Sequence, residues 1–144
     1  MSNKDLSSEQ RKVMRIKDRE KIRRKRQDPV YKRKRQLKEY LGKGLKNGFT
    51  ATSKLGKVVG CDSEALKEHL ISTAIKNYGY YSDTEEYECD HVIPTHSGKT
   101  VEEVENLYHK DNTQLLYPRH NRVKGDKHDF DLQVYIEMEK EGKV

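Results

Sequence analysis

The chain has 144 residues, of which 32% are hydrophobic and 38% charged, with a formal net charge of +6 at pH 7. That composition allows one domain with a small core plus an arm, and no stretch is long and apolar enough for a membrane span or a signal peptide, so the expected location is the cytoplasm. The charge is polarised: residues 1–47 carry 18 Lys and Arg against 6 Asp and Glu, the remainder 12 against 18, which points to a polyanionic partner at the N-terminal end.

In chain order, Ser7 and Ser8 can cap a helix over "EQRKVMRIKDREKIRRKRQ", a run rich in helix formers. Asp28 and Pro29 interrupt it, and a second helix is expected over residues 30–45. The first of these has little to bury and is expected to order on nucleic acid. The second has a modest apolar stripe of Tyr31, Leu37, Tyr40, Leu41 and Leu45. Residues 21–38 hold the densest positive charge, with Arg23, Arg24, Lys25, Arg26, Lys32, Arg33, Lys34 and Arg35 as candidate phosphate contacts. Residues 1–50 therefore read as a basic helical DNA-binding arm. Gly42, Gly44, Gly48, Gly56 and Gly60 mark a loose connection to a second unit over residues 51–144, with the core expected within residues 55–140.

That second unit opens on an amphipathic helix, capped by Asp62 or Ser63, with Leu66, Leu70, Ile71, Ala74 and Ile75 at helical spacing and a stop at residues 77–79. A strand is expected over residues 87–93, "YECDHVI", closed by Pro94, which cannot donate to a ladder. Residues 100–110 read as a short helix, where Thr100 and Glu103 have capping-box spacing. Residues 113–117 form a second strand-like segment bounded by Asn112 and Pro118. Pro118 suits the first position of a helix carrying Arg119, His120, Asn121, Arg122 and Lys124, with Gly125 as its stop. A last helix is expected over residues 129–141, with Phe130, Val134, Tyr135 and Met138 on one side.

Around these strands and this helix lie Asp90, His91, Asn112, His120 and Asn121, which are hard or borderline metal ligands plus one candidate proton acceptor. Asp90 and His91 are neighbours, so in extended chain they face opposite sides of the ribbon. One can bind an ion while the other addresses a substrate. Segment 88–126, "ECDHVIPTHSGKTVEEVENLYHKDNTQLLYPRHNRVKGD", resembles the HNH endonuclease family, whose catalytic unit is a beta-beta-alpha-metal finger. Upstream, "LGKVVGCDSEALKEHL" resembles the glycine–cysteine helix that precedes the finger in phage-type, homing-like members. In that family an Asp-His pair ends the first strand, an Asn opens the second, and a His or Asn nine positions later sits on the helix. Asn112 and Asn121 have that spacing.

The resemblance implies an α+β fold, with a finger over about residues 86–126, flanking helices and the basic arm. It implies that His91 is the general base, that Asp90 and Asn121 give oxygen ligands to one Mg2+ or Mn2+, and that Asn112 ties the loop between the strands so that His91 is held in place. His120 stands as an alternative ligand or a phosphate contact, and Arg119, Arg122 and Lys124 as phosphate contacts. The implied activity is hydrolysis of DNA phosphodiester bonds by a monomer or weak dimer, in the host cytoplasm for a phage-encoded member. A non-catalytic nucleic-acid-binding scaffold and an RNA-directed nuclease stay open beside it. The structural zinc of many members needs four thiolates or histidines. With only Cys61 and Cys89, 28 residues apart, none is expected here, and the cysteines read as small buried residues with a disulfide possible but not indicated. His69, His96, His109 and His128 read as structural or solvent-facing.

Overall fold

The computed structural model describes residues 6–144. Ser7 caps the first helix, α1 (Ser8–Gln27): its hydroxyl accepts the Gln10 N–H at 3.2 Å while Gln10 Oε1 accepts the Ser7 N–H at 2.9 Å, a reciprocal pairing that satisfies two otherwise orphaned donors. α1 is a continuous helix that buries none of its side chains, and Val13, Met14, Ile16 and Ile22 stay exposed. The Asp28 carboxylate accepts the Val30 N–H at 2.8 Å and Pro29 takes the first position of α2 (Pro29–Asn47), so one interruption ends one helix and starts the next.

α2 departs from the expected arm. Leu37 and Leu41, one turn apart, are buried and share the main core with Leu55, Val59, Leu66, Leu70, Val104 and Tyr108. Two side chains expected on nucleic acid are engaged by other parts of the chain: Arg33 Nε lies 2.8 Å from Glu105 Oε1, and Lys34 Nζ donates to the His96 carbonyl at 2.9 Å. The glycines read as a loose connection are close contacts instead. A Cβ on Gly44, inside α2, would stand 2.5 Å from Leu55 Cδ2 and 2.8 Å from Phe49 Cδ1, and one on Gly56 would stand 2.1 Å from the Thr50 carbonyl oxygen. The helix accepts the backbone cost of glycine because a neighbour occupies the Cβ space. The core therefore begins near residue 37, and the free arm is essentially α1.

The short helix α3 (Lys54–Val59) leads into α4 (Ser63–Tyr78), capped by Asp62, whose carboxylate accepts the Ala65 N–H at 2.8 Å. α4 buries Leu66, Leu70 and Ala74, whereas Ile75, expected on the same stripe, is 50% exposed. The strands are β1 (Glu88–His91) and β2 (Thr113–Leu116), each shorter than expected, paired antiparallel with Asp90 opposite Gln114 and His91 opposite Thr113. Between them lies α5 (Val101–Leu107), capped by Thr100, which accepts the Glu103 N–H at 3.1 Å. The Glu103 carboxylate returns to the Lys99 N–H at 2.6 Å rather than to that of Thr100.

Among the described residues these two strands are the whole sheet, so the outer edge of β2 needs partners. α4 supplies them from its side chains. Thr73 Oγ1 accepts the Leu115 N–H at 2.9 Å, Asn77 Nδ2 donates to the Leu115 carbonyl at 3.2 Å, and His69 Nε2 lies 3.2 Å from the Thr113 carbonyl oxygen. Directly after β2, Pro118 opens α6 (Pro118–Lys124), which ends at Gly125 with φ +52°. α7 (Leu132–Lys140), capped by Asp131, closes the chain. Val134 is 55% exposed, so it leaves the inward side on which Tyr135 meets the His120 ring edge-on at 5.7 Å. The whole is mixed α and β, mostly helical, with a two-stranded antiparallel sheet in the order β1, α5, β2, α6.

Both cysteines are free. Cys89 faces the core from β1, and burial, with help from the Asp90 charge, pushes its thiol up to about 11. At pH 8 this leaves roughly a thousandth of it as thiolate, about a hundredfold or more below an unperturbed cysteine. Iodoacetamide labelling followed by mass spectrometry is expected to show Cys89 lagging a free thiol standard by that factor. Labelling of folded protein at the standard's rate would mean that this face of β1 is open to solvent.

Candidate functional site

The pleat of β1 divides its side chains between two environments. Glu88 and Asp90 lie on the face covered by α6, together with Gln114 and Leu116, while Cys89 and His91 share the other face with Thr113 and Leu115. The second face is the core side, where Cys89 and Leu115 pack against the main cluster. Adjacent residues of the Asp-His pair thus serve opposite sides of the ribbon.

On the α6 side, Asn121 Nδ2 donates to Glu88 Oε2 at 2.6 Å. Three residues on, and so on the same helical face, Lys124 Nζ lies 3.2 Å from Asp90 Oδ2 and 3.4 Å from Oδ1, and donates to the His91 carbonyl at 3.0 Å. Gln114 Nε2 donates to Asp90 Oδ2 at 3.0 Å. The Asp90 and Lys124 side chains are only 10% and 3% exposed, so this is a largely desolvated ion pair whose geometry fixes strand to helix. Removing one partner of such a pair costs about 3–5 kcal/mol, because the other charge stays behind. Lys124, expected on a phosphate, is therefore an internal residue. A cleft of about 460 Å³ opens beside it, with Val92, Gln114, Lys124, His128, Asp129 and Asp131 in its lining.

On the core side, the His91 ring is half-buried and tilted against Tyr108, with centroids 4.7 Å apart. Its Nε2 is buried with no hydrogen-bond partner among the described residues. Burial lowers the imidazole below its ordinary value; the Asp90 carboxylate opposes that shift and the Lys124 ammonium adds to it. The ring is thereby biased toward its neutral, proton-accepting form.

Asn112 clamps the chain just beyond His91. Its Oδ1 accepts the Ile93 N–H at 2.8 Å, its Nδ2 donates to the Ile93 carbonyl at 3.0 Å and to the Leu107 carbonyl at 2.8 Å, and its own carbonyl accepts the Val92 N–H at 2.9 Å. One side chain thus joins the end of β1, the end of α5 and the start of β2.

His120 has a different job from the one expected. It is 1% exposed, with Nδ1 2.8 Å from the Tyr78 hydroxyl and Nε2 2.5 Å from Glu139 Oε1. The Tyr78 hydroxyl also accepts the Tyr117 N–H at 3.0 Å, which leaves its proton for His120. Both ring nitrogens are spent on joining α4, α6 and α7, and neither is left for a cation or a phosphate. Arg119 and Arg122 stay exposed. Arg119 lies over the Tyr117 ring at 5.0 Å, with Nε 3.4 Å from Glu139 Oε2. Along the N-terminal helices, Arg23, Arg24, Lys25, Arg26, Lys32 and Arg35 are exposed, whereas Arg33 and Lys34 are only partly so.

Sequence reasoning passed over Glu88 and misread Lys124, and both had a periodic signal. Glu88 is two residues before Asp90 on a strand, and Lys124 is three after Asn121 on a helix. Tyr78 and Glu139 carried no such mark, since their partner lies far away in sequence.

Among the described residues no three His, Cys, Asp or Glu side chains gather as a metal cluster, and the oxygen donors along the seam are the carboxylates of Glu88 and Asp90 and the amide of Asn121. A hard divalent cation that keeps several waters needs only one or two carboxylates. Glu88, Asp90 and Asn121 have the oxygen donors such an ion takes, but the Lys124 ammonium already neutralises Asp90, so a divalent ion would have to displace it from that carboxylate. Comparison with protein-family models, curated proteins and solved structures found no match to this chain. No helix among the described residues is long and apolar enough to cross a membrane.

Proposed function

We propose that the chain is a metal-dependent endonuclease of the HNH type that hydrolyses DNA phosphodiester bonds, with β1, β2 and α6 as its beta-beta-alpha finger. The observation that carries this reading is His91. A buried polar atom without a partner costs about 1–3 kcal/mol, and such an atom at the end of β1 calls for an explanation, which a role in proton transfer supplies.

In this mechanism His91 accepts a proton from water as the water oxygen forms its bond to phosphorus. The bond from phosphorus to the departing sugar oxygen breaks, and that oxygen takes its proton from solvent. Asn112 holds the Ile93 backbone and with it the direction of His91. Asp90 and Asn121 would hold the divalent ion, with Glu88 orienting the Asn121 amide; when bound, Mg2+ or Mn2+ supplies electrostatic stabilisation of charge developing on the phosphate. Arg119 and Arg122 are exposed on α6 and are suited to neighbouring phosphates. α1, basic and unburied along its length, supplies sequence-independent attachment to the DNA backbone.

The test is a plasmid assay with purified protein. Nicked or linear DNA is expected with Mg2+ or Mn2+ and none with excess EDTA. Salt-sensitive DNA binding without cleavage under any divalent ion would assign the chain instead as a binding protein that uses the finger as a scaffold.

A further inference from the structure

The seam between β1 and α6 contains a second feature that the cleavage mechanism does not use: a nearly inaccessible lysine whose ammonium occupies the proposed ligand itself. Asp90 Oδ2 already receives Gln114 and Lys124, and Lys124 is held from a third direction by the His91 carbonyl. The Lys124 side chain is 3% exposed, so water cannot compensate for a lost partner. A divalent ion taking an Asp90 oxygen would add two positive charges within a few ångströms of that ammonium, in a setting where water screens poorly. The two cations cannot share the carboxylate at full strength.

We propose that Lys124 is an internal counter-ion that holds Asp90 in the metal-free protein and competes with the divalent cation for it. This rests on the reading of Asp90 as a metal ligand and adds a regulatory element to that site. Without metal, the ammonium keeps a buried carboxylate from standing unpaired and closes α6 on β1. Metal binding must displace it, which the flexible four-carbon stem of lysine allows. The seam therefore exchanges one cation for another, and its divalent affinity is set below what its oxygen donors alone would give.

Mn2+ binding to the full chain, measured by isothermal titration calorimetry without DNA, tests this. Lys124→Met and Lys124→Gln remove the charge at similar length, and both are expected to bind Mn2+ at least tenfold more tightly than the unsubstituted protein. Asp90→Asn is expected to lose binding. Equal or weaker binding by both Lys124 variants, with loss in Asp90→Asn, overturns the counter-ion and leaves the metal site standing. Binding indifferent to Asp90→Asn, or absent in every protein, overturns the metal site and the counter-ion together. Should both Lys124 variants fail to fold, the unsubstituted protein still decides. Nitrogen-15 NMR is expected to show a slowly exchanging Lys124 ammonium that is lost on saturation with Mg2+, and its persistence at saturation overturns the competition.

Discussion

His91→Ala is expected to lower DNA cleavage by roughly 10²–10⁴-fold, the range that a positioned general base contributes, while DNA binding and folding stay intact. The separation follows from the environment of the ring. Its Nε2 has no hydrogen-bond partner among the described residues, so truncation leaves no orphaned group opposite that nitrogen. What is lost is the packing against Tyr108, offset by removal of a buried nitrogen without a partner. The melting temperature is therefore expected to hold within a few degrees or to rise, as at sites where function is kept at the expense of stability. Asn112→Ala should behave in the opposite way. It strips the Ile93 N–H, the Ile93 carbonyl and the Leu107 carbonyl of their partner, and a loss of about 1–3 kcal/mol is expected, with part of the exposed loop rescued by water. Cleavage and stability would then fall together. Plasmid cleavage rates read beside thermal melts of the two variants check this. A His91→Ala protein that cuts at the unsubstituted rate would remove the imidazole from the chemistry.

How far these features could be read in advance depended on whether the cause was local. Caps are local: Ser7, Asp62 and Thr100 each bond a backbone N–H three residues on, and Asp28 one two residues on, so those helix starts follow from short sequence patterns, whereas α7, expected from residue 129, starts at Leu132 behind its Asp131 cap. Pro118 and Gly125 bound α6 for the same reason. The facing of Asp90 and His91 follows from the strand period alone. Lys124 was not legible, because a lysine next to arginines on a basic helix looks solvated until a strand supplies Asp90 and a carbonyl from more than thirty residues away. Arg33 and Lys34 were hidden in the same way, inside a dense basic run whose other members are exposed. Gly44 and Gly56 misled for a complementary reason. Glycine weakens an isolated helix, and only the packed neighbours reveal that here the missing Cβ makes room for Leu55, Phe49 and the backbone at residues 50 and 51. His120, expected as an alternative ligand or a phosphate contact, is turned by one helical step from Asn121 toward Tyr78 and Glu139, partners that lie far away in sequence.

The relocated boundary between arm and core leads to the other large effect. Deleting residues 1–27 is expected to leave the melting temperature nearly unchanged and to weaken DNA binding strongly, while deleting residues 1–50 is expected to abolish folding. The first deletion removes a helix with no buried side chain and leaves Asp28 in place to cap α2. It also removes 10 of the basic residues of α1, from Arg11 to Arg26, against Glu9, Asp18 and Glu20. Each phosphate neutralised contributes a slope of about −0.9 in the dependence of log affinity on log salt, so engagement of even half of those cations should make the full chain's slope steeper than the truncated one's by about 4. The second deletion takes Leu37 and Leu41 out of the core and leaves Glu105 without Arg33. Loss of each buried leucine costs about 2–5 kcal/mol, which together approaches the roughly 5–15 kcal/mol that holds a domain folded. Circular dichroism melts and DNA binding titrated at several salt concentrations distinguish the cases. Cooperative unfolding of residues 51–144 alone would show that α2 is dispensable to the core, and an unchanged salt slope without α1 would place the DNA surface elsewhere.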